Sequence, residues 1–355
     1  MRKIFNYKRR ADAISWYRHQ GPLSALPNCQ LVNDTDFEWN HLSTQADVVV
    51  VNRGFGPHEV QLLADAKKAG VRSVLDIDDD MFNLPEYNPT KWKPKLNSIL
   101  DNHLASLHLA DRVMCSTKHL KDSLRGVLMG SLRDQMKRGK FTKESVEKSL
   151  RDAETKFHVV PNAFDDTRHT LILNDAQRDH RGKPTILWRG SDTHYEDVMS
   201  ISDSIFRFGR DFSWRFLGWN AYPLHDKDRV PDLVWQTFDQ DLLTYFDTIL
   251  DINPEFVIVP LLDNTFNRSK SNIAWIEASW AGAVTIAPTL PEWTKPGVLN
   301  YSSLKELDGI LEAIRDGQFD YKKRRALLSQ SREEIKKNYY LSRVNRKRMK
   351  IFFMK

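Results

Sequence analysis

The chain has 355 residues, 41% apolar and 28% charged, which excludes a disordered protein and suits two hydrophobic cores of about 150 residues each. Its longest apolar runs, residues 48–51 and 256–262, have the length of buried strands and fall short of the roughly 20 residues of a membrane span. Cys29 and Cys115 are its two cysteines, too few for a disulfide framework or a cysteine-rich metal centre. No apolar run follows the basic start at residues 1–10, so we expect a cytoplasmic protein with no secretory signal and no spanning segment.

The net charge of +6 is unevenly placed. Residues 321–355 hold thirteen Lys and Arg against two Glu, so the rest of the chain is net acidic. A basic arm on a mildly acidic body suits a polyanionic partner, either nucleic acid or an anionic membrane surface. A helix that carries charge only for solubility has the same composition.

In chain order, residues 46–52 (ADVVVVN) read as a parallel strand covered on both faces. Residues 57–69 read as a helix opened by Pro57 and closed by Gly70. The next strand, 71–77, runs straight into Asp78, Asp79 and Asp80, and Pro85, Pro89 and Pro94 then forbid a regular helix. That loop begins where a parallel sheet presents its carboxyl ends, the usual ligand side. A helix over 96–109, a strand over 111–115 and a helix capped by Ser116 follow. Residues 121–156, with ten basic and six acidic side chains, read as one or two extra helices before a strand at 157–160.

The polar run 175–183 reads as a linker, which sets a first domain of residues 1–175 and a second of 184–320. The basic segment 321–355 is expected to be helical and to pack back toward the first domain. Within the second domain, strands are expected at 184–188, 213–217, 256–260 and 283–287. Helices are expected from Val198, over 242–250, and over 272–280 with Gly282 as the stop. Strand–helix alternation in both halves predicts an α/β protein of two Rossmann-like, doubly wound domains facing across a cleft, with the ligand site between them.

Residues 262–293 carry the strongest chemical signal. A loop rich in donors leads into a helix opening near Ser271, and free amides at such a start can hold a phosphate. Lys270 or Arg268 can cancel further negative charge. Glu277 can accept the two hydroxyls of a ribose, or it can be an ordinary carboxylate paired to a neighbour.

The run NRSKSNIAWIE at 267–277, followed by Gly282 and AVTIAP, resembles the nucleotide-sugar motif of retaining GT-B glycosyltransferases of the GT4-like group, related to sucrose and glycogen synthases. The resemblance implies the GT-B fold, a nucleoside diphosphate sugar donor (a UDP-sugar foremost), no tightly bound cofactor and no essential metal. It places Glu277 on the nucleotide ribose. The group's earlier acid, which contacts the donor sugar, falls at Ser269, where this chain departs from the pattern. A subset of the group has the N-x-x-K-S arrangement found here. ILWRGSDTHYED at 186–197 resembles the phosphate-side turn, with Gly190 allowing close backbone approach and Arg189 reaching the diphosphate. Ser191, His194, Ser269, Ser271 and Asn272 complete the expected donor set, and His194 can equally be bonded to Asp197. Arg18, in the glycine-containing turn SWYRHQGP, is a donor or acceptor candidate, and Arg53 is another. LDIDDDMFNLP at 75–85 resembles the acidic acceptor-side loop, where Asp78 and Asp79 can be a metal pair, an acceptor contact or base, or turn caps.

Cleaving a sugar–diphosphate bond builds positive charge on the anomeric carbon and negative charge on the departing phosphate. Arg189 and Lys270 are expected to stabilise that phosphate. Three destinations for the sequence stay open. One is sugar transfer to a hydroxymethylated base in phage-type modified DNA, in a host cytoplasm, gripped through 321–355 and 121–156. Another is transfer to a cell-surface glycan or lipid-linked acceptor at an anionic membrane. The last is a non-catalytic nucleic-acid-binding protein on the same scaffold, motivated by Ser269.

Overall fold

The computed structural model describes residues 2–7, 16–32, 46–138, 142–167, 182–220, 222–237 and 242–353. Strands β1 (Arg2–Tyr7), β2 (Cys29–Val32), β3 (Val48–Asn52), β4 (Arg72–Ile77), β5 (Arg112–Cys115) and β6 (Phe157–Val159) form a parallel sheet in the order β2-β1-β3-β4-β5-β6. The four valines of β3 are buried because both faces of the sheet are covered. Val49 and Val51 pack under helices α1 (Pro57–Lys68), α2 (Leu96–Leu109), α3 (Lys118–Lys137) and α4 (Lys143–Lys156). Val48 and Val50 face the opposite way, toward Leu23 and the last helix of the chain.

Residues 121–156 therefore belong to the first domain, with Leu124, Leu128, Leu132, Val146 and Ala153 turned into its core. The cap of α3 is Thr117 and not Ser116. Thr117 is the last extended residue, so its hydroxyl reaches the Leu120 amide, while the Ser116 hydroxyl donates to the Asp78 carbonyl.

The second sheet contains β7 (Thr185–Gly190), β8 (Ser213–Gly218), β9 (Val234–Gln236), β10 (Phe256–Ile258), β11 (Val284–Pro288) and β12 (Leu299–Tyr301). It is also parallel, ordered β12-β11-β10-β7-β8-β9, which is the strand order of dinucleotide-binding sheets. Helices α5 (Leu242–Ile252), α6 (Ile273–Ala281) and α7 (Leu304–Arg315) accompany it. Every residue of α6 from Ala274 onward is buried, and Gly282 ends the helix at φ 78°, a left-handed turn that glycine adopts without a Cβ penalty.

Segment 321–355 divides between the domains. Helix α8 (Tyr321–Asn338) stays on the second, where Trp275 Nε1 donates to Ser331 Oγ (3.2 Å) and stacks edge-on against Tyr339. The chain then crosses over: Phe164 N donates to Tyr339 O and Leu341 N to Phe164 O, each at 2.8 Å. Helix α9 (Leu341–Phe353) lies on the first sheet, burying Leu341, Val344, Ile351 and Phe352 against Ile4, Val48, Val50 and Val74. Residues 175–181 of the expected linker lie outside the described residues. Among the described residues, no helix is long and apolar enough to cross a membrane.

Candidate functional site

A parallel sheet opens a crevice where its strand order reverses, at the carboxyl ends of the strands. In the second sheet that point lies between β7 and β10, and in the first between β1 and β3. The loops after β3 and β4 of the first domain meet those after β7 and β10 of the second across the interdomain cleft.

From the first domain, Arg53 follows β3 at φ 62°, a strained left-handed turn. Its Nε donates to Asp78 Oδ1 (3.0 Å), and Nη2 lies 3.5 Å from Asp79 Oδ2. From the second domain, Lys270 Nζ donates to Asp79 Oδ1 (2.7 Å), with the ammonium 4.3 Å from the centroid of the Phe266 ring. Both acids are partly buried, which raises a carboxyl pKa. At Asp79 the charges of Lys270 and Arg53 outweigh burial and the pKa falls. At Asp78 Arg53 does not fully offset burial, and the Asp79 charge adds to it, so the pKa rises. The neighbouring carboxyls thus differ in readiness to take a proton, with Asp78 the readier. Both already have cationic partners, which disfavours the metal-pair reading. Among the described residues, no group of three His, Cys, Asp or Glu is placed to hold a metal ion.

Tyr87, on the loop after β4, ties the cleft together. Its hydroxyl donates to Asp197 Oδ1 (3.1 Å) and accepts from Asn264 Nδ2 (3.0 Å) and Asn267 Nδ2 (3.2 Å). Burial and the Asp197 charge push its pKa up to about 12, so it stays protonated and can donate. The Asn264 side chain accepts from Asn267 N and caps the short turn Thr265–Arg268, which delivers Ser269 to Ser271 to the first domain. There Thr117 Oγ1 donates to the Ser269 carbonyl (3.0 Å), and Asn162 Nδ2 donates to Ser271 Oγ (2.8 Å). Ser269 Oγ lies 3.4 Å from Asp80 Oδ2 and is 2% exposed, so an acid at position 269 would face a buried carboxylate.

Glu277, 6% exposed, is fully engaged. Arg189 Nη2 stands 2.7 Å from Oε2, Tyr245 Oη donates to the same oxygen (2.9 Å), and Tyr17 Oη, from the first domain, donates to Oε1 (2.7 Å). At Arg189, burial favours loss of charge, but the Glu277 carboxylate prevails and raises its pKa. Burial, followed by Glu277, raises the pKa of both tyrosines. Helix α6 opens after Asn272 with no side-chain cap, and Asn272 Nδ2 is buried without a partner. Beside Glu277 a narrow apolar cavity runs between the domains, lined by Trp16, Tyr17, Phe164, Phe246, Trp280 and Leu341.

Other expected contacts are placed differently. Arg18 does not reach the cleft: it is 2% exposed, with Nε bonded to Asp76 Oδ1 (3.1 Å) and Nη1 to the Val160 carbonyl and Asn162 Oδ1. Burial made it a strut beneath the strand ends. Arg348 of α9 is also fully buried and within reach of the Asp76 charge, so one carboxylate serves two buried guanidiniums. Asp76→Asn is therefore expected to destabilise the first domain by about 3–5 kcal/mol, read as a lowered urea midpoint; an unchanged midpoint would remove this account. Arg268 turns outward to Asp263 (2.5 and 2.7 Å) and leaves the phosphate role to its neighbours. A Cβ on Gly190 would stand 2.7 Å from the Trp188 ring, so its missing side chain makes room for that indole. Ser191 is exposed and paired with Thr193, and His194 Nδ1 lies 2.8 Å from Asp197 Oδ2.

Tyr87 and Tyr245 were not singled out from the sequence, and Tyr17 lies in the turn SWYRHQGP, where Arg18 was the expected contact. A tyrosine in an aromatic-rich chain carries no local mark of function.

No family model and no curated protein sequence matches the chain. Solved structures do. An E. coli trehalose-6-phosphate protein bound with UDP-2-fluoro glucose superposes with a TM-score of 0.58 at 11% identity, covering 99% of each chain. The Anabaena protein HepE, in complex with UDP and glucose, gives 0.58 at 9% identity, again over 99% of each. A UDP-forming trehalose-phosphate synthase from Burkholderia xenovorans gives 0.52 at 11% identity, over 88% of this chain and 77% of that one. With its two parallel sheets meeting end to end across a cleft, this chain has the architecture of those structures: the GT-B fold, two Rossmann-like α/β domains.

Proposed function

We propose that the chain is a retaining glycosyltransferase that moves a sugar from a nucleoside diphosphate sugar, a UDP-sugar foremost, to a hydroxyl acceptor. The observation that supports this reading is that Arg189 on β7, and Lys270 and the uncapped start of α6 after β10, belong to elements leaving the switch-point strands of the second sheet, with Lys270 bonded across the cleft to Asp79. The likeness in fold to structures that hold UDP and glucose, or UDP-2-fluoro glucose, supports it.

In this mechanism the α6 amides, Asn272 and Lys270 bind the diphosphate, and Arg189 compensates the charge that builds on it as the glycosidic bond breaks. Glu277 takes the ribose once Tyr17 withdraws with the first domain, which frees Oε1. The departing phosphate accepts the acceptor's proton on the same face, which gives retention. Asp78, the carboxyl more ready to take a proton, orients the acceptor hydroxyl. Ser191 and His194 border the donor turn, while Ser269 and Ser271 hold its loop to the first domain.

For the acceptor we favour a hydroxymethylated base in duplex DNA, because α9, on the domain opposite the donor side, exposes four basic side chains and contains no acidic residue. The test is incubation with UDP- and GDP-sugars, reading released nucleoside diphosphate and labelled sugar on DNA. Transfer to hydroxymethylated duplex and not to unmodified duplex is expected. Transfer only to a lipid extract or glycan would overturn the DNA acceptor. A folded protein that binds no nucleotide sugar would overturn catalysis and leave a nucleic-acid-binding protein on this scaffold.

A further inference from the structure

Helix α9 presents two unlike faces. Leu341, Val344, Arg348, Ile351 and Phe352 are buried against the first sheet. Arg343, Arg346, Lys347 and Lys350 are exposed and spaced three or four residues apart, so they form one row along the outside of the helix. No acidic residue occurs within α9, and among the described residues none of these four side chains has an ion pair. At the far end Arg2 lies over the Phe353 ring at 4.2 Å and adds a fifth cation.

Other basic stretches carry acidic residues: α8 contains Glu333 and Glu334, and α3 and α4 are built differently from α9. On α3, Asp122 pairs with Lys118 (2.7 Å), Arg125 (3.4 Å) and Lys121 (3.8 Å). On α4, exposed Lys148 and Arg151 alternate with exposed Glu144, Glu147, Asp152 and Glu154. That surface interleaves acidic side chains with its basic ones. On α9, by contrast, no acidic residue is interleaved with the basic ones.

The direction of α9 also bears on function. Its first residue, Leu341, lines the interdomain cavity beside Glu277, while Arg72 Nη1, at the start of β4, donates to the Phe352 carbonyl (3.0 Å). The helix therefore runs from the cleft to the opposite end of the sheet. The row from position 343 to 350 spans about 10 Å, which matches about three phosphates of one duplex strand at about 3.4 Å each.

We propose that the exposed row Arg343, Arg346, Lys347 and Lys350 is a docking surface for the phosphodiester backbone of nucleic acid, holding it along the first domain with one end at the cleft. Nucleic acid fits better than a membrane because the large apolar side chains of α9 are turned inward, leaving nothing to insert between lipids. The proposal deepens the acceptor assignment and rests on it only for what the bound DNA is used for. Binding itself needs no donor.

The test is fluorescence anisotropy with a labelled, unmodified duplex of about 20 base pairs, titrated over a series of KCl concentrations. The full chain is compared with R343Q/R346Q/K347Q/K350Q and with the control K148Q/R151Q. The four-site variant is expected to bind at least about tenfold more weakly, with a slope of log K against log salt shallower by roughly three, while the control stays at the wild-type value. All four residues are exposed, so folding should persist. R346Q/K347Q serves as a milder variant, with half the change in slope. Equal binding by the four-site variant and the wild type overturns the proposal. So does wild-type capture by phosphatidylserine vesicles at a salt concentration where duplex is not held. Donor cleavage by the four-site variant without DNA is read separately. Loss of duplex binding with no donor turnover in any variant would sink the transferase reading and leave this surface standing, and normal turnover with unaffected duplex binding would do the reverse.

Discussion

Lys270→Ala is expected to lower turnover of a nucleotide sugar by at least about 100-fold while the protein stays folded. The magnitude is that of removing one preorganised donor to a transition-state anion, about 2.7–4 kcal/mol. The fold is expected to survive because Lys270 is a fifth exposed, and its partner Asp79 keeps Arg53 as a second cation. The loop carrying it is held independently by Asn264, Tyr87 and Thr117. Measuring kcat and KM separately tells a transition-state role from simple binding: the former lowers kcat, whereas the latter raises KM alone. Full activity in the variant would remove Lys270 from the mechanism.

Glu277→Ala is expected to act on stability and on donor binding together. One carboxylate receives Arg189, Tyr17 and Tyr245, so truncation strands a guanidinium and two hydroxyls. Loss of a buried pair's partner costs about 3–5 kcal/mol, and the lower figure applies because the Arg189 side chain keeps 20% exposure to water. The melting temperature should fall. The thermal shift produced by a UDP-sugar in the wild type should vanish, since that shift measures binding to the native state. Glu277→Gln separates the two effects, because it keeps the volume and an acceptor oxygen while removing the charge. It should recover part of the stability and little of the donor shift. A variant that kept both the melting temperature and the donor shift would show that Glu277 serves neither purpose.

Much of the scaffold was legible because its signals are local. Residues 96–109 form a helix as read, and the valines of β3 form a strand buried on both faces. Gly282 ends α6, as its position predicted. The alternation of these elements gave the two doubly wound domains, and the resemblance of residues 267–277 gave the GT-B arrangement. Four strands escaped the reading. β1 has only Ile4 and Phe5 as adjacent apolar residues, and it is a strand because β2 and β3 pair with it on either side. β2, β9 and β12 are three or four residues long. The division of residues 321–355 was also hidden, since α8 and α9 are both basic helices and which sheet buries the apolar side of each is not written in the chain.

The sequence by itself determined which residues could bear charge near a phosphate, because side-chain chemistry and the start of a helix are local properties. The tertiary structure alone decided which of them meet. Lys270 finds Asp79 from 191 positions away, and Tyr17 finds Glu277 from 260. Folding also took Arg18 out of the cleft, in a turn whose resemblance to a cleft-side turn suggested a ligand contact, and left the α9 row without an ion pair among the described residues. Pairing and burial depend on neighbours brought together by folding, and no spacing along the chain encodes them.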